Sequence, residues 1–450
     1  MIGTDMARAS FHTLGCRLNN AETALIAERF REAGYDIVEH GRPVDVAVIN
    51  TCSVTERADA RCRNEIRKIR RRSPDAVVCA VGCYSQADAD TVAGITGVDL
   101  VVGTDRKFEL VALVHARAGN GEVTRHISER PDASLIEYPS AGYYPHQTRA
   151  NIKIQDGCDF CCAFCLLPRV RGAACSRPLA DIVAEGHELA RRGHKELVIS
   201  GVNIGTYRDG GAMIATVARD LSAIPGIARV RVSSIEPTTV GDELLAWMAT
   251  DPKACRHLHL PLQAGDDKVL GRMKRVYTVA EYVRFAARAK TMMPDLGLGT
   301  DIIAGHPGEG ETEFANSLRL IEELPFSYVH VFSYSERPKT AAVYDDEKNT
   351  PQVVRERADI LHELALRKKQ AFFAEHVGRT VDVLFESIDG DGWRKGFTGS
   401  YLRVGVAPEH AGENELTTVT VTGQQGDFCV GVTNRSRDPR TAQTDGATGL

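Results

Sequence analysis

The sequence predicts an α/β protein with three folded parts: an N-terminal parallel α/β domain, a central partial (β/α)6 barrel and a C-terminal small β-barrel. Strand-like and helix-like runs alternate over about the first hundred residues, and six strand-like runs separated by helices follow between about 149 and 336. Five short β-like runs come after a long amphipathic helix near the C-terminus. A chain of 450 residues is too long for one ordinary core, so several domains are expected.

The N-terminal part, residues 8–121, has three strand-like runs that each end at a cysteine. The runs are "SFHTLGC", "VDVAVINTC" and "AVVCAVGC", and they end at Cys16, Cys52 and Cys83. Because the carboxyl ends of parallel strands meet at one edge of a sheet, we expect the three thiols to converge there. Buried core cysteines are the alternative, but three strand-terminal positions, two of them preceded by glycine, favour a site.

Residues 122–148 lack clear periodicity and are predicted to be a linker. The central part, residues 149–372, then carries six strand-like runs: "ANIKIQDG", "KELVISGV", "ARVRVSSIEP", "HLHLPLQAG", "LGLGTDIIAG" and "SYVHVFSYS". Six β/α units are too few for a closed eight-stranded barrel. We therefore expect a partial barrel whose open side admits a large substrate.

The C-terminal part, residues 373–434, overlaps the end of a helix predicted at about 351–376, which Thr350 can cap and Pro351 can start. Its β-like runs are 380–387, 394–398, 401–407, 416–422 and 427–432. Short strands of this number suit a small barrel of the oligonucleotide-binding type. The polar residues 435–450 are predicted to be disordered.

Composition and charge narrow the class of protein. The chain has no apolar run of membrane-spanning length and no visible secretory signal, so we expect a cytoplasmic protein without a membrane partner. Its 12 cysteines then favour metal or redox chemistry over disulfides. The net charge of −5 means that any nucleic-acid site must be a local basic patch. The segment 61–72 (RCRNEIRKIRRR) is a candidate, although a solvated helix face explains it equally well.

The stretch 157–165, "GCDFCCAFC", places four cysteines directly after the first strand of the central part. Four thiolates would satisfy a structural zinc ion, but the two CxxC pairs abut, whereas zinc ribbons separate their pairs by about a dozen residues or more. A [4Fe–4S] cluster held by Cys158, Cys162 and Cys165 leaves one iron free to chelate S-adenosylmethionine, whose reductive cleavage yields a radical. Cys161 must then stay off the cluster, and Phe164 is placed to pack against the cofactor.

Over residues 8–433 the chain resembles the radical S-adenosylmethionine methylthiotransferases. The matching stretches include "TLGCRLNNAE", "INTCSVTERAD" and "AVGCYSQ" around the first three predicted ligands, "HLHLPLQAGDDKVLGRMKRVYT" and "GTDIIAGHPGE" in the central part, and "GFTGSYLRVGV" near the C-terminus. The resemblance implies a methylthiotransferase domain, a radical S-adenosylmethionine core and an RNA-binding barrel called TRAM, in that order.

The resemblance also implies cofactors, partners and a reaction. Two [4Fe–4S] clusters, one on each cysteine triad, would face one cavity. Two molecules of S-adenosylmethionine are used per product: one methylates sulfur held at the N-terminal cluster, and the other yields the radical that takes hydrogen from the target carbon. A low-potential electron donor and a sulfur donor are implied partners. Further cofactor contacts implied by matched motifs, for which the alternative is a buried, satisfied polar group, are Gly201, Asn203, Glu236, Gln263 and Asp301.

The contexts of the first two cysteines indicate the substrate. "TLGCRLN" and "NTCSVTERAD" are most similar to family members that modify N6-threonylcarbamoyladenosine next to the tRNA anticodon, so the tRNA anticodon stem-loop is the expected partner and C2 of that nucleoside the expected target. The alternatives are isopentenyl-adenosine of tRNA, an aspartate of a ribosomal protein and, from a different class, a non-catalytic zinc-binding RNA module. Candidates for RNA contacts are Lys274, Arg275, Phe397, Tyr401 and Arg403.

The chain departs from the family pattern at four positions outside the predicted cluster ligands. These are Arg169, His306, Lys339 and Ser400.

Overall fold

The structure, a computed structural model, describes residues 6–53, 56–117, 122–136, 138–145, 147–388 and 390–433. It has the predicted fold class, with a parallel α/β sheet, a six-stranded partial barrel and a closed five-stranded barrel. The tail predicted to be disordered, 435–450, lies outside the described residues. Within the described ranges, no helix combines the length and the apolar character needed to cross a membrane.

The first part of the chain forms one sheet with helices on both faces. Its elements are β1 (Arg8–Thr13), α1 (Arg17–Glu32), β2 (Asp36–Val38), β3 (Val46–Thr51), α2 (Glu56–Arg72), β4 (Val77–Gly82), α3 (Cys83–Ala87), α4 (Ala89–Ala93), β5 (Leu100–Val102), α5 (Leu110–Ala116) and β6 (Thr124–His126). The strands are parallel and lie in the order β2-β1-β3-β4-β5-β6. Val48 packs in a cluster with Phe30 of α1, whereas Ile49 packs in another with Ile66 of α2, so β3 is buried on both faces.

The three strands predicted to end at cysteines are confirmed as β1, β3 and β4. Strands β2, β5 and β6 are additional to those predicted from the sequence. Strand β6 falls inside the interval predicted as a linker and pairs in parallel with β5, with Val102 opposite His126. Part of that interval therefore extends the N-terminal sheet.

The central part is the partial barrel. Its elements are β7 (Arg149–Lys153), β8 (Gln155–Asp156), α6 (Leu167–Arg171), β9 (Cys175–Ser176), α7 (Leu179–Arg191), β10 (Glu196–Ser200), α8 (Ile214–Ala223), β11 (Arg229–Val232), α9 (Asp242–Thr250), β12 (His257–His259), α10 (Asp267–Arg272), α11 (Val279–Met292), β13 (Gly297–Ala304), α12 (Glu311–Glu323) and β14 (Tyr328–Ser333). Strands β7, β10 and β11 form one parallel sheet and β12, β13 and β14 another. An isolated parallel bridge between Ser234 and His259 links them. All six predicted strands are confirmed.

The last part is a long helix followed by the closed barrel. Its elements are α13 (Pro351–Ala374), β15 (Thr380–Ile388), β16 (Arg394–Thr398), β17 (Arg403–Val406), β18 (Leu416–Gln425) and β19 (Phe428–Thr433). The Thr350 side chain accepts a hydrogen bond from the backbone N–H of Val353 at 3.3 Å, as its capping role predicts. The strands close in the order β15-β16-β17-β19-β18, and Phe373 from α13 packs into the barrel core.

Polar contacts between the three parts position them around the barrel. On the N-terminal side, Asn20 of α1 accepts a hydrogen bond from Asn151 of β7 at 2.9 Å. On the C-terminal side, the guanidinium of Arg231 donates to the backbone carbonyls of Thr398 and Gly399, each at 3.0 Å. The N-terminal sheet and the C-terminal barrel are therefore both attached to the sheet formed by β7, β10 and β11.

Candidate active site

Three of the four cysteines in the loop 157–165 line a cavity of about 310 Å³ at the carboxyl ends of the barrel strands. Cys158, Cys162 and Cys165 all contribute to its wall, whereas Cys161 is exposed and does not. The four loop thiols thus do not converge as a closed zinc site requires. The turn before the loop needs glycine, because Gly157 has φ +66° and an added Cβ would lie 1.9 Å from the carbonyl oxygen of Ala173.

The environment of the three thiols suits metal-bound sulfur. The backbone N–H of Phe160 donates to Cys158 Sγ, and that of Leu167 donates to Cys165 Sγ, each at 3.4 Å. Burial raises the pKa of each of the three thiols, to about 12 for Cys165. Burial thus favours the protonated thiols, whereas bound iron would stabilise the thiolates directly. Hydrogen bonds from backbone N–H groups to sulfur are also of the kind that tune iron–sulfur clusters.

Five of the six further residues predicted to contact the cofactor line the same cavity. They are Phe164, Asn203, Glu236, Gln263 and Asp301. Gly201 is not part of the wall: an added Cβ there would lie 2.7 Å from Ile204 Cγ2 and 2.8 Å from the carbonyl oxygen of Gln155. Its small size therefore allows close packing behind the site.

Hydrogen bonds from the backbone fix Asn203 at the cavity wall. The side-chain oxygen of Gln155 accepts hydrogen bonds from the backbone N–H groups of Val202 and Asn203, at 3.0 and 2.8 Å. Asn203 is 3 % exposed, and its side-chain oxygen has no hydrogen-bond partner among the described residues. A buried acceptor without a donor is costly, and an ammonium or hydroxyl group of a bound cofactor would satisfy it.

Arg275 occupies a position that the sequence analysis did not predict. It was expected to contact RNA phosphate, but its side chain is 3 % exposed and lies in the cavity wall. It donates to Cys162 Sγ at 3.1 Å, forms an ion pair with Glu236 and stacks over the ring of Tyr277 at 5.0 Å. Burial raises the pKa of Glu236, and the Arg275 guanidinium opposes that rise. The sequence signal was only a basic residue after a loop, which is typical of surfaces.

Asp301 is fixed by two histidines on the neighbouring strands. Its Oδ1 lies 2.9 Å from His259 Nε2 and 3.3 Å from His330 Nδ1. Burial alone would raise the pKa of Asp301, but the two rings hold it well below its ordinary value. Asp301 is therefore an ionised carboxylate at the cavity wall.

One of the three N-terminal cysteines reaches this cavity, whereas Cys16 lines a separate pocket with Arg149 and Tyr401. It is Cys83, which lines the cavity together with three of the loop cysteines. Cys52 packs directly against the turn before Cys16, because a Cβ on Gly15 would lie 2.7 Å from Cys52 Sγ. Gly82 serves the same purpose before Cys83, with φ +99° and an added Cβ 2.5 Å from Asn50 Oδ1. The glycines that precede two of the cysteines are thus explained by close approach.

The aromatic residues predicted to contact RNA in the C-terminal barrel also pack against other parts of the protein. Phe397 and Tyr401 stack on each other at 4.8 Å, and the guanidinium of Arg149 lies 4.5 Å from the Phe397 ring. The Tyr401 hydroxyl accepts a hydrogen bond from Arg17 at 2.6 Å. Arg403 forms an ion pair with Asp427. The two rings lie at the interface between the barrels but are only half-buried and line one open pocket with Arg403, so their contact with RNA stays a prediction.

Lys274 and the basic segment 61–72, which forms most of α2, lie on the surface, as an RNA-binding patch requires. Lys274 is exposed, as are the α2 residues Arg61, Arg67, Lys68, Arg71 and Arg72.

Two family models match the chain: the Radical SAM superfamily over residues 152–321 and the family described as Uncharacterized protein family UPF0004 over residues 8–103. The chain is 33 % identical over 406 residues to the threonylcarbamoyladenosine tRNA methylthiotransferase MtaB of Bacillus subtilis, covering 89 % of this chain and 90 % of that protein. The chain belongs to the radical S-adenosylmethionine methylthiotransferase family. It is 34 % identical to the tRNA-2-methylthio-N(6)-dimethylallyladenosine synthase of an Anaeromyxobacter species, with 89 % of each chain covered.

A solved structure shares the fold at low identity. The radical S-adenosylmethionine methyltransferase TsrM of Kitasatospora setae superposes with a TM-score of 0.59 and 16 % identity, covering 75 % of this chain and 77 % of that one. The protein is an enzyme of the radical S-adenosylmethionine class, whose cofactors are [4Fe–4S] clusters and S-adenosylmethionine. Three thiols and an unsatisfied buried amide oxygen that line one cavity fit those cofactors.

Proposed function

We propose that this protein transfers a methylthio group to C2 of N6-threonylcarbamoyladenosine next to the tRNA anticodon, using two molecules of S-adenosylmethionine per product. The observation that carries the proposal is a single cavity lined by three cysteines of the central loop and by Cys83 of the N-terminal sheet. The substrate follows from relatives named for that nucleoside that match 84–94 % of the chain at 32–35 % identity.

Each cysteine triad has its own part in this proposal. Cys158, Cys162 and Cys165 would hold the cluster that binds S-adenosylmethionine, and Cys16, Cys52 and Cys83 would hold the second cluster. When bound, these cofactors supply the radical that removes hydrogen from the target carbon and the methylated sulfur that replaces it.

The remaining cavity residues would bind and orient the cofactor. The Asn203 side-chain oxygen would accept from a donor group of the cofactor, and the Glu236 carboxylate, held by Arg275, would bind a second polar group. Phe164 would pack against the adenine. Ile303 and Phe332 line the same wall and would reduce access of water to reactive species.

The triads are tested by iron content after anaerobic reconstitution. We expect about eight irons per chain, as two four-iron clusters require. Cys162→Ala should lose about half of the iron, and so should Cys83→Ala. Cys161→Ala is the matched control, because Cys161 adjoins Cys162 but is exposed, and it should keep the full content. Equal losses in Cys161→Ala and Cys162→Ala would contradict the ligand assignment.

The substrate is tested by mass spectrometry of tRNA nucleosides from a deletion strain. We expect 2-methylthio-N6-threonylcarbamoyladenosine to disappear and to return with the wild-type gene or Cys161→Ala but not with Cys162→Ala. Unchanged levels of that nucleoside in the deletion strain would refute the substrate.

Isopentenyl-type adenosine in tRNA is the second candidate substrate, because a dimethylallyladenosine synthase shares 34 % identity with the chain over 413 residues. The same nucleoside digests separate the two: loss of only the dimethylallyl product would favour this candidate. The electron donor and the sulfur donor are further parts of the proposal, and both would be identified by reconstituting turnover from purified components.

A further inference from the structure

Five fully buried charged side chains lie between the two cysteine triads, where the N-terminal sheet meets the central barrel. They are Glu22, Lys107, Lys153, Asp156 and Arg171. Glu22 of α1 contacts all three cations: Lys107 at 2.6 Å, and Lys153 and Arg171 at 2.8 Å each. Asp156 pairs with Lys153 at 2.5 Å and with Arg171 at 3.0 Å.

The charges of this network do not cancel. Three cations face two carboxylates, so one positive charge is in excess while all three are protonated, and no side chain of the network is more than 3 % exposed. Burial lowers the pKa of Lys107 to about 8, so this amine still carries its charge at neutral pH. An excess charge in such a site is unfavourable unless an anion lies nearby. A [4Fe–4S] cluster held by three thiolates is such an anion, since the thiolates outweigh the charge of the oxidised iron–sulfur core.

Arg171 connects this network to the N-terminal cysteines. Its Nη2 donates to Asn19 Oδ1 at 2.8 Å. The amide nitrogen of Asn19 in turn donates to the carbonyl oxygens of Leu14 and Thr51, at 2.8 and 3.0 Å, which lie just before Cys16 and Cys52. The same Asn19 oxygen lies 3.9 Å from Cys16 Sγ.

Thr51 extends the same connection to the third cysteine. Its hydroxyl donates to the carbonyl oxygen of Val81 at 2.6 Å and accepts from the backbone N–H of Tyr84 at 3.2 Å, so it bridges the residues on either side of Cys83. The turns that carry all three cysteines are therefore tied to Asn19 or Thr51, and through Asn19 to Arg171.

Arg171 is also tied to the other triad by its own helix. Helix α6 has five residues, Leu167–Arg171, and the N–H of Leu167 at its start donates to Cys165 Sγ. One end of this helix therefore contacts a loop cysteine, and the other end carries the guanidinium beneath the N-terminal cysteines. A helix of this length fixes the distance between its ends at about 6–8 Å.

We propose that Arg171 is a positioning residue that holds the Cys16/Cys52/Cys83 triad in register with the loop cysteines, and that the excess positive charge of its network raises the reduction potential of the cluster on that triad. A fixed positive charge near a cluster favours the electron-rich, reduced state. This inference rests on the proposed function, because it assumes that the N-terminal triad binds iron.

The test isolates the N-terminal cluster. In the full-length chain, Cys158→Ala, Cys162→Ala and Cys165→Ala together remove the loop cluster, and the remaining cluster is titrated anaerobically with detection by electron paramagnetic resonance. Adding Arg171→Gln should shift its midpoint potential to more negative values and lower its iron content. Arg171→Lys should restore most of the potential, because it keeps the charge.

Arg177→Gln is the matched control. Arg177 is also a buried arginine paired with a buried carboxylate, that of Glu185, but the pair carries no excess charge and does not contact Asn19. It should lower stability and leave the midpoint potential unchanged. A midpoint in Arg171→Gln equal to that of the control would overturn the inference.

Lys107→Met provides a second test if Arg171→Gln does not fold. It removes the excess charge without breaking the contact between Arg171 and Asn19, so the potential should become more negative while the iron content is kept. An unchanged potential in Lys107→Met would also overturn the electrostatic part. If the chain without loop cysteines binds no iron at all, the proposed function fails together with this inference. If iron binds but neither substitution changes the potential, only the inference fails.

Discussion

Replacing Arg231 by methionine should uncouple the C-terminal barrel from the central one. Arg231 is completely buried, lies 2.6 Å from Glu196, and donates to the carbonyls of Thr398 and Gly399. It also lies 5.1 Å from the ring of Tyr401. The substitution keeps most of the volume but leaves the buried Glu196 carboxylate and the Gly399 carbonyl oxygen without their donor, whereas the Thr398 carbonyl keeps the backbone N–H of Tyr401 at 3.1 Å.

The expected cost is large compared with the stability of an ordinary domain. Breaking a buried ion pair by removing one partner costs about 3–5 kcal/mol, and the Gly399 carbonyl, which loses its charged donor, adds about 1–3 kcal/mol. These contributions are not additive, so we expect at least about 4 kcal/mol in the free energy of unfolding. Anaerobic urea denaturation of the reconstituted protein measures this, and limited proteolysis should release the C-terminal barrel earlier than in the wild type.

Two controls make the result interpretable. Arg231→Met with Glu196→Gln removes both charges and should recover part of the loss. Arg256→Met breaks the half-exposed pair with Asp295 and should cost less than about 1 kcal/mol. A cost for Arg231→Met no larger than that for Arg256→Met would refute the reasoning.

Three further predictions concern other elements. Arg275→Met should lower S-adenosylmethionine cleavage, measured as 5′-deoxyadenosine, at least about tenfold, because the loss of one charged contact is worth ~1.4 kcal/mol. Arg275→Lys should recover part of this activity. Full activity in both variants would contradict the contact of Arg275 with Glu236 and Cys162. Burial lowers the pKa of His306 to about 4, so the unfolded chain binds a proton between about pH 6.5 and 4 that the folded chain does not. The free energy of unfolding should therefore decrease by up to about 3 kcal/mol as the pH falls from about 6.5 to 4. In His306→Phe the urea midpoint should no longer depend on pH in this way. An equal pH dependence in the variant would show that other groups cause it. Thr350→Ala should cost about 1 kcal/mol through loss of the helix cap, whereas the exposed Gln352→Ala should cost much less in the same denaturation assay.

The local patterns of the sequence predicted much of the fold. The period of apolar residues placed all six central strands and the strands that end at Cys16, Cys52 and Cys83, and the threonine–proline pair located the start of α13. The spacing within "GCDFCCAFC" separated Cys161 from the cysteines that line the cavity. These features depend on residues close together in the chain, which is why they are readable without a structure.

Contacts between distant residues decided the rest. No local pattern indicated that Arg275 would reach Cys162, more than a hundred positions earlier, or that Phe397 and Tyr401 would stack at the interface between the barrels. A basic or aromatic side chain looks the same in sequence whether it faces solvent or a buried partner.

By itself, then, the sequence determined which cysteines stand at strand ends, because strand periodicity and glycine turns are local properties of the backbone. Only the tertiary structure decided which charges are buried between them. Arg171 meets Glu22 across 149 residues, and the loss of hydration that makes this pairing matter exists only once the N-terminal sheet and the central barrel are packed together.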